Sequence, residues 1–312
     1  MATTATSTVG EQARRHRRGK QLSALSLYLF LLPAILYIAL TMLYPVYENV
    51  RMSVHDVNIR TFLAADQPWA GLNNFRTIFN DSEFWHSVRL SLTFTAGSIA
   101  FQFSIGFALA MLFAKPFPGN NFLRSLTLLG WLMPTVLSGT IFRWVLDGDY
   151  GILNYALTSL NIMSENKYWL IDSETALWGT ILANIWVGIP FNMLLLLGGL
   201  QGISTTLYEA ASTDGANGWQ RFWTITLPLM RPVSLSVLLL GLIYTFKVFD
   251  LVYIMTAGGP VNATTVLPIY TYQMTFQSFQ FGVGAAAAVA MLVALLIVAI
   301  FYVWYTQREE TA

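Results

Sequence analysis

There is no cysteine anywhere in the 312 residues. Disulfides, thiolate nucleophiles and cysteine-ligated metals are therefore excluded, although compartment is left undecided. Charge is scarce as well: Asp, Glu, Lys and Arg make up 11% of the chain, against about 25% in a typical soluble domain. The three histidines, His16, His55 and His86, are scattered over a tail and the first loop. No H-E-x-x-H, G-x-S-x-G or G-x-x-x-x-G-K-S/T occurs. The sequence thus offers no catalytic set, no metal site and no cofactor motif. It also lacks a cradle for nucleotide phosphates, so any ATP that drives this protein is hydrolysed by another subunit.

What is abundant is apolar surface, at 55% of residues. The charge-free runs are Gln21 to Tyr47, Leu90 to Ala114, Ser125 to Phe142, Thr175 to Tyr208, Pro232 to Phe246 and Leu251 to Gln307. About 20 apolar residues in a helix cross a bilayer. The runs predict an all-α polytopic membrane protein with six spans near 22–44, 88–114, 122–144, 176–200, 231–255 and 282–305. The first part of the last run, Thr256 to Gln280, carries Gly258-Gly259-Pro260, Asn262, Pro268 and several glutamines. It is expected outside the membrane or along its surface. No separate soluble domain is expected, because the longest loop, about 46–87, is too short for a large core of its own.

Basic residues set the orientation. Arg14, Arg15, Arg17, Arg18 and Lys20 precede the first span, and six spans place Lys115, Arg124, Arg221, Arg231 and Arg308 on the same side. The opposite side is rich in acids, including Asp81, Glu83, Asp147, Asp149 and Glu174. Residues 1–20 read as a disordered basic cytoplasmic tail, 21–307 as a transmembrane domain and 308–312 as a second cytoplasmic tail. The first span reads as an uncleaved signal anchor, since its apolar run is too long for an h-region and no small-x-small site follows. The basic cluster is a topology signal beside a span; no nucleic-acid partner is implied.

The most informative segment is the polar stretch 201–229. Thr206 followed by Glu209 has the capping-box pattern for starting a helix, and Asn217 with Gln220 repeats it. Gly215 between them can take a positive φ and redirect the chain. Pro228 is expected to end the polar segment. Two short helices at an angle form a knob suited to a groove on another protein.

The order here is Glu209-Ala210-Ala211, three residues, Gly215, nine residues, Ile225, one residue, Leu227-Pro228. It resembles the EAA loop by which ABC importer permeases dock their ATPases. Leu207-Tyr208 and Asp214-Gly215-Ala216 around it resemble the carbohydrate branch, similar to maltose and glycerol-phosphate permeases. The same branch is suggested by Trp69 to Phe75, by Trp144 with Gly151-Ile152-Leu153-Asn154, by Phe249-Asp250 with Met255-Thr256-Ala257-Gly258-Gly259-Pro260, and by Phe281 to Ala287. Ser204 stands where relatives usually have Pro, and Ser can cap a helix there.

The resemblance implies a type I importer permease in a bacterial cytoplasmic membrane, with both termini cytoplasmic. Its partners would be a second permease, two ATPase subunits, an extracytoplasmic solute-binding protein, a carbohydrate and the lipid bilayer. Glu209, Ala210, Ala211, Asp214, Gly215, Ile225, Leu227 and Pro228 would couple to the ATPase.

In the fourth span, Asn184-Ile185-Trp186-Val187-Gly188-Ile189-Pro190-Phe191-Asn192 resembles the N-x-W-x-G-x-P pattern of maltose-type permeases. There the Asn, the Gly and the aromatic after Pro line the sugar site. The resemblance makes Asn184, Gly188, Phe191 and Asn192 substrate-path candidates, with Gly241, Tyr244, Thr245 and Val248 on the fifth span. The other reading is a Pro-kinked helix whose Asn pairs with a neighbour. Lys247 and Asp250, three apart, are expected to pair on one helix face, either as a gate or as a structural pair.

Few cations near the path favour a neutral di- or oligosaccharide over a phosphate ester, which would want Arg. Two alternatives stay open: a secondary carrier for a small polar solute, and a permease for a glycerol-phosphate-type polyol. A carrier would show inverted repeats or a titratable relay. Tryptophans near span ends read as interfacial anchors. Gly198-x-x-x-Gly202 and Gly284-x-x-x-Ala288 are candidate close-contact pairs.

Overall fold

The computed structural model describes residues 30–64 and 66–310. The basic tail 1–20 and the start of the first span lie outside the described residues. Among those described there is no strand, only an antiparallel bridge between His55 and Trp69. The chain divides into residues 1–52 and 53–312.

The first described helix, α1, covers Phe30–Ser53, and all but its last residue belongs to the first unit. It widens into a π-turn at Ala39–Leu43, where the Tyr44 N–H reaches back to Ala39 O. The next residue is Pro45, which lacks an N–H and crowds the preceding carbonyl. The extra residue in the turn relieves that clash.

The second unit is built on two long helices, α3 (Ser82–Phe113) and α7 (Ala176–Gln201), preceded by short α2 (Asn73–Asn80). Their contact is close because Gly106 has no side chain. A Cβ there would lie 2.8 Å from Asn192 Cβ and 3.0 Å from Met193 N. The expected glycine pair at 198 and 202 does no such work: a Cβ on Gly198 meets nothing within 4 Å. Gly199 instead faces Val233 and Met230. One core cluster gathers Phe107, Ala110, Met193, Leu196 and Met230; another gathers Phe94, Leu177, Ile181, Val252 and Ile269.

The third span is not continuous. Helices α4 (Asn120–Leu132) and α5 (Thr135–Val145) meet at 98°. The cause is Pro134, which drives Met133 into an extended conformation, ψ 139. After α6 (Ile152–Ser159), the Asn154 side chain ties the loop together. It donates to the carbonyls of Gly148 and Lys167 and accepts from the Trp169 indole.

The fifth span also departs from expectation. Its helix, α9, runs from Gly218 to Phe246, starting and ending upstream of 231–255. Pro228 does not end the polar segment; it sits inside the helix, behind a π-turn at Phe222–Thr226 in which Leu227 N–H bonds Phe222 O. The same proline chemistry as at Pro45 applies. The chain then breaks at Lys247 and resumes in α10 (Asp250–Thr256).

The segment 256–280, expected outside the membrane or along its surface, packs against the helices of the bundle. Val266, Leu267, Ile269 and Tyr270 of α11 (Leu267–Tyr272) and its N-terminal flank are buried. Its polar groups find internal partners, which removes the cost of burial. Thr265 donates to Gly258 O, Leu267 N–H donates to Ser91 Oγ at 2.7 Å, and Tyr270 donates to Asp81 at 2.6 Å. The last helix, α12 (Phe281–Glu310), covers the expected sixth span.

Candidate functional site

The polar loop between α7 and α9 begins with α8 (Thr205–Thr213). Its N-cap is Ser204, whose hydroxyl accepts from Thr206 N–H, not Thr206 as the capping-box pattern suggested. Gly215 takes φ +81, and the Ala216 N–H reaches back to Ala211 O at 2.9 Å. This is the six-to-one bond of a Schellman stop. Asn217 and Gln220 form the expected capping box. The helix they start is not a separate short one but the first turn of α9. Arg221 holds Ser212 Oγ at 2.7 Å, and Tyr208 OH meets Thr226 Oγ1 at 2.9 Å, so α8 is pinned to α9. Glu209, Ala210, Asp214, Gly215, Leu227 and Pro228 are exposed, while Ala211 and Ile225 are half-buried. Trp219 and Trp223, which sequence reading passed over, add an exposed aromatic face beside them.

Within the bundle a cavity of about 300 Å³ opens between α3, α4–α5, α7 and α9. Its wall includes Asn184, Gly188, Phe191, Asn192, Gly241, Tyr244, Thr245 and Val248, so all eight path candidates meet at one space. Four further residues line it that the sequence did not single out: Gln102, Trp131, Thr135 and Val187. A signal for Gln102 existed, since an amide in a charge-free span needs a partner. Trp131 lies well inside the expected third span, and nothing in its sequence surroundings marked it as a cavity residue.

The amides are arranged against one another. Gln102 donates Nε2 to Asn184 O at 2.7 Å, and Asn192 donates to Gly188 O at 2.9 Å. Gln102 lies directly across Gly188, where a Cβ would fall 2.2 Å from its Cδ. The Asn184 Nδ2 is buried and has no hydrogen-bond partner among the described residues, an arrangement costly unless something in the cavity accepts from it. Opposite stand three aromatic rings. Phe191 lies 5.7 Å from Trp131 and meets Tyr244 edge-to-face at 5.5 Å. Nothing lies within 4 Å of a Cβ on Gly241, which leaves that wall open.

Lys247 and Asp250 do not form the expected pair. The helix breaks between them, so they no longer share a face. Lys247 instead places its Nζ 5.0 Å over the Tyr244 ring, a cation–π contact. No cluster of three or more His, Asp or Glu side chains suited to a metal exists among the described residues.

An uncharged cavity of amides and aromatic rings thus shares α7 and α9 with the polar loop that carries the exposed α8. Residues 102–311 match the family described as binding-protein-dependent transport system inner membrane component. The trehalose/maltose transport system permease protein of Thermococcus litoralis is 33% identical over 88% of this chain and 91% of its own length. The diacetylchitobiose uptake system permease protein of Streptomyces coelicolor is 29% identical over 96% and 92%. Among solved structures, a bacterial ABC transporter that imports alginate contains a chain of the same fold. Its TM-score is 0.79 at 23% identity, covering 94% of this chain and 99% of that one. The chain therefore belongs to the binding-protein-dependent transport system inner membrane components, the multi-pass permease subunits of ABC transporters.

Proposed function

We propose that this chain forms, with a second permease, the path of an ATP-driven importer for a carbohydrate, a neutral di- or oligosaccharide handed over by an extracytoplasmic binding protein. The observation that carries the reading is the cavity wall. Amides supply donors and acceptors for hydroxyls, and Trp131, Phe191 and Tyr244 offer flat apolar faces for the C–H face of a sugar ring. No Asp, Glu, Lys or Arg lines it. A phosphate ester would call for Arg there, which weighs against the polyol-phosphate alternative. The names of the relatives, trehalose/maltose and diacetylchitobiose permeases, agree in class.

Coupling follows from the helices. From Gly218 to Tyr244 is 26 residues of helix, about 39 Å at 1.5 Å per residue. A displacement of the α8 knob by the ATPase subunit docked on it therefore tilts Gly241, Tyr244 and Thr245 as one body, with the second ATPase subunit serving the second permease. The second wall moves with it, because α7 enters the same loop at Gln201. ATP is hydrolysed by those partners, and the cavity alternates between the two sides as they close and open. Both termini and the α8 knob lie in the cytoplasm, and α2 and α6 face outward.

The test is sugar uptake by proteoliposomes holding the full complex, with Asn184→Ala beside wild type. Losing a hydrogen bond to a cargo hydroxyl costs about 1 kcal/mol. Uptake should fall several-fold while the complex still assembles. Gly188→Leu should block uptake and leave ATPase docking intact; unchanged uptake in both variants would place the path elsewhere.

A further inference from the structure

A second concavity, of about 490 Å³, is formed by α2, α3, α9, α11 and α12. Of its 18 lining residues only Trp85 and Thr95 carry a side-chain nitrogen or oxygen, and the Trp85 indole N–H is already given to Phe79 O at 2.8 Å. Apart from the buried Thr95 hydroxyl, which has no hydrogen-bond partner among the described residues, the lining offers nothing to a polar solute. What fits is hydrocarbon.

Its length selects the kind of hydrocarbon. The lining runs along α3 from Phe84 to Thr95 and along α12 from Val289 to Val298. At 1.5 Å per residue these are about 16 and 14 Å. The hydrocarbon core of a bilayer is about 30 Å thick, so one leaflet is about 15 Å. The groove matches one acyl chain of one leaflet and is about half the length a transmembrane helix would need.

The end at α2 has the chemistry of a headgroup level. Phe79, Phe84 and Trp85 cluster there, with Phe79 and Phe84 5.8 Å apart and Trp85 half-exposed, as aromatic residues do at the membrane interface. Arg76 follows the lining residue Phe75, and Arg89 follows the lining residue Val88. Both arginines are exposed, and neither forms an ion pair among the described residues. The two nearby carboxylates are directed elsewhere, Asp81 to Tyr270 and Glu83 to Asn262. Two exposed guanidinium groups, each next in sequence to a lining residue of this leaflet-length apolar groove, supply charge that complements a phosphate.

We propose that this groove is a binding site for an anionic phospholipid of the bilayer, one acyl chain along α3 and α12 and the phosphodiester between Arg76 and Arg89. The lipid would wedge α12 against α3 and α9, and so stiffen the outer wall of the helix that carries Tyr244.

The full chain with its co-purifying subunits, in phosphatidylcholine nanodiscs, provides the test. A minor fraction of the lipid is phosphatidylglycerol or phosphatidylcholine brominated in the upper half of one acyl chain, which quenches nearby tryptophan. The difference between wild type and Trp85→Phe isolates Trp85 from the other nine tryptophans. Quenching of Trp85 should be several-fold stronger with brominated phosphatidylglycerol than with the choline lipid. Each arginine contributes about a fivefold preference, so the Arg76→Gln, Arg89→Gln pair should bring the two lipids level. Ala294→Phe, at an exposed lining position, should displace the chain and reduce quenching by both. Equal quenching by both lipids in the wild type means bulk lipid contact only and overturns the proposal. No quenching by either means that protein, from α1 or the second permease, fills the groove, and overturns it as well.

Discussion

Gly188 and Gln102 should behave as one unit, and their coupling can be worked out beforehand. A Cβ on Gly188 would sit 2.2, 2.4 and 2.6 Å from Cδ, Nε2 and Oε1 of Gln102. The obstructing atoms are the end of a flexible side chain, so Gly188→Ala does not force α3 and α7 apart. It displaces the Gln102 amide and breaks its 2.7 Å bond to Asn184 O. That loss is about 1 kcal/mol, and a displaced amide left buried without a partner adds about 1–3 kcal/mol. In a Gln102→Ala background the space is empty. Gly188→Ala there costs close to nothing and gains helix propensity, about 1 kcal/mol. The cycle should show a coupling of about 2–4 kcal/mol, since the propensity gain is common to both backgrounds and cancels. Reversible unfolding of the purified complex in mixed detergent measures it. Gly106→Ala is the contrast, since its Cβ would press on Asn192 Cβ and Met193 N, which cannot swing away; it should cost about 1–3 kcal/mol in either background. If Gly188→Ala costs the same with and without Gln102, to within about 0.5 kcal/mol, the amide does not fix the glycine.

Other outcomes follow from the same geometry. Gly215→Val should uncouple ATPase from uptake with the chain still inserted, because a β-branched residue resists φ +81; wild-type transport would remove the loop from the coupling mechanism. Glu209→Arg should lose ATPase docking, read as loss of the co-purifying subunit, through repulsion from a basic groove. Single cysteines at Asn73 and Asn161 should label with an impermeant maleimide on intact cells while one at Gln307 does not, and the reverse pattern would invert the topology. Asp147 is held below its ordinary 3.8 by backbone hydrogen bonds from Tyr150 and then Asp149. A depressed carboxylate contributes stability above its unfolded value and loses it as pH falls through the folded one. Asp147→Asn should therefore weaken the loop above pH 5, by protease nicking at 147–151, and make no difference at the acid end.

Much of this was legible because the bilayer simplifies the problem. Charge-free runs marked the spans near α3, α7 and α12, and the glycine and capping residues of the 201–229 loop carried their geometry in their identities. The eight path candidates, chosen on the N-x-W-x-G-x-P resemblance and on helical spacing, meet at one cavity. The failures have local causes. Proline was read as a boundary at residue 228, but a π-turn absorbs it within α9. At Pro134, inside an uninterrupted apolar run, the helix does break. Hydropathy cannot tell these two outcomes apart, because the difference lies in whether a neighbouring turn can widen. Lys247 and Asp250 looked paired because an unbroken helix was assumed. The Gly-Gly-Pro, Asn262, Pro268 and glutamines marked 256–280 as a segment that does not span, but not as one that packs against the bundle, where Thr265, Tyr270 and the Leu267 N–H all bond. Gln102 was missed because its partner, a backbone carbonyl 82 residues away, leaves no trace in sequence spacing.

The proposal as a whole turns on who supplies the energy. The complex purified through this chain, placed in proteoliposomes with its binding protein loaded with sugar, should hydrolyse ATP several-fold faster than with the unloaded protein. Uptake should stop when ATP is withheld and should ignore a protonophore. Uptake that needs no ATP and collapses with the proton gradient would make the chain a secondary carrier and contradict the coupling role given to α8 and Gly215.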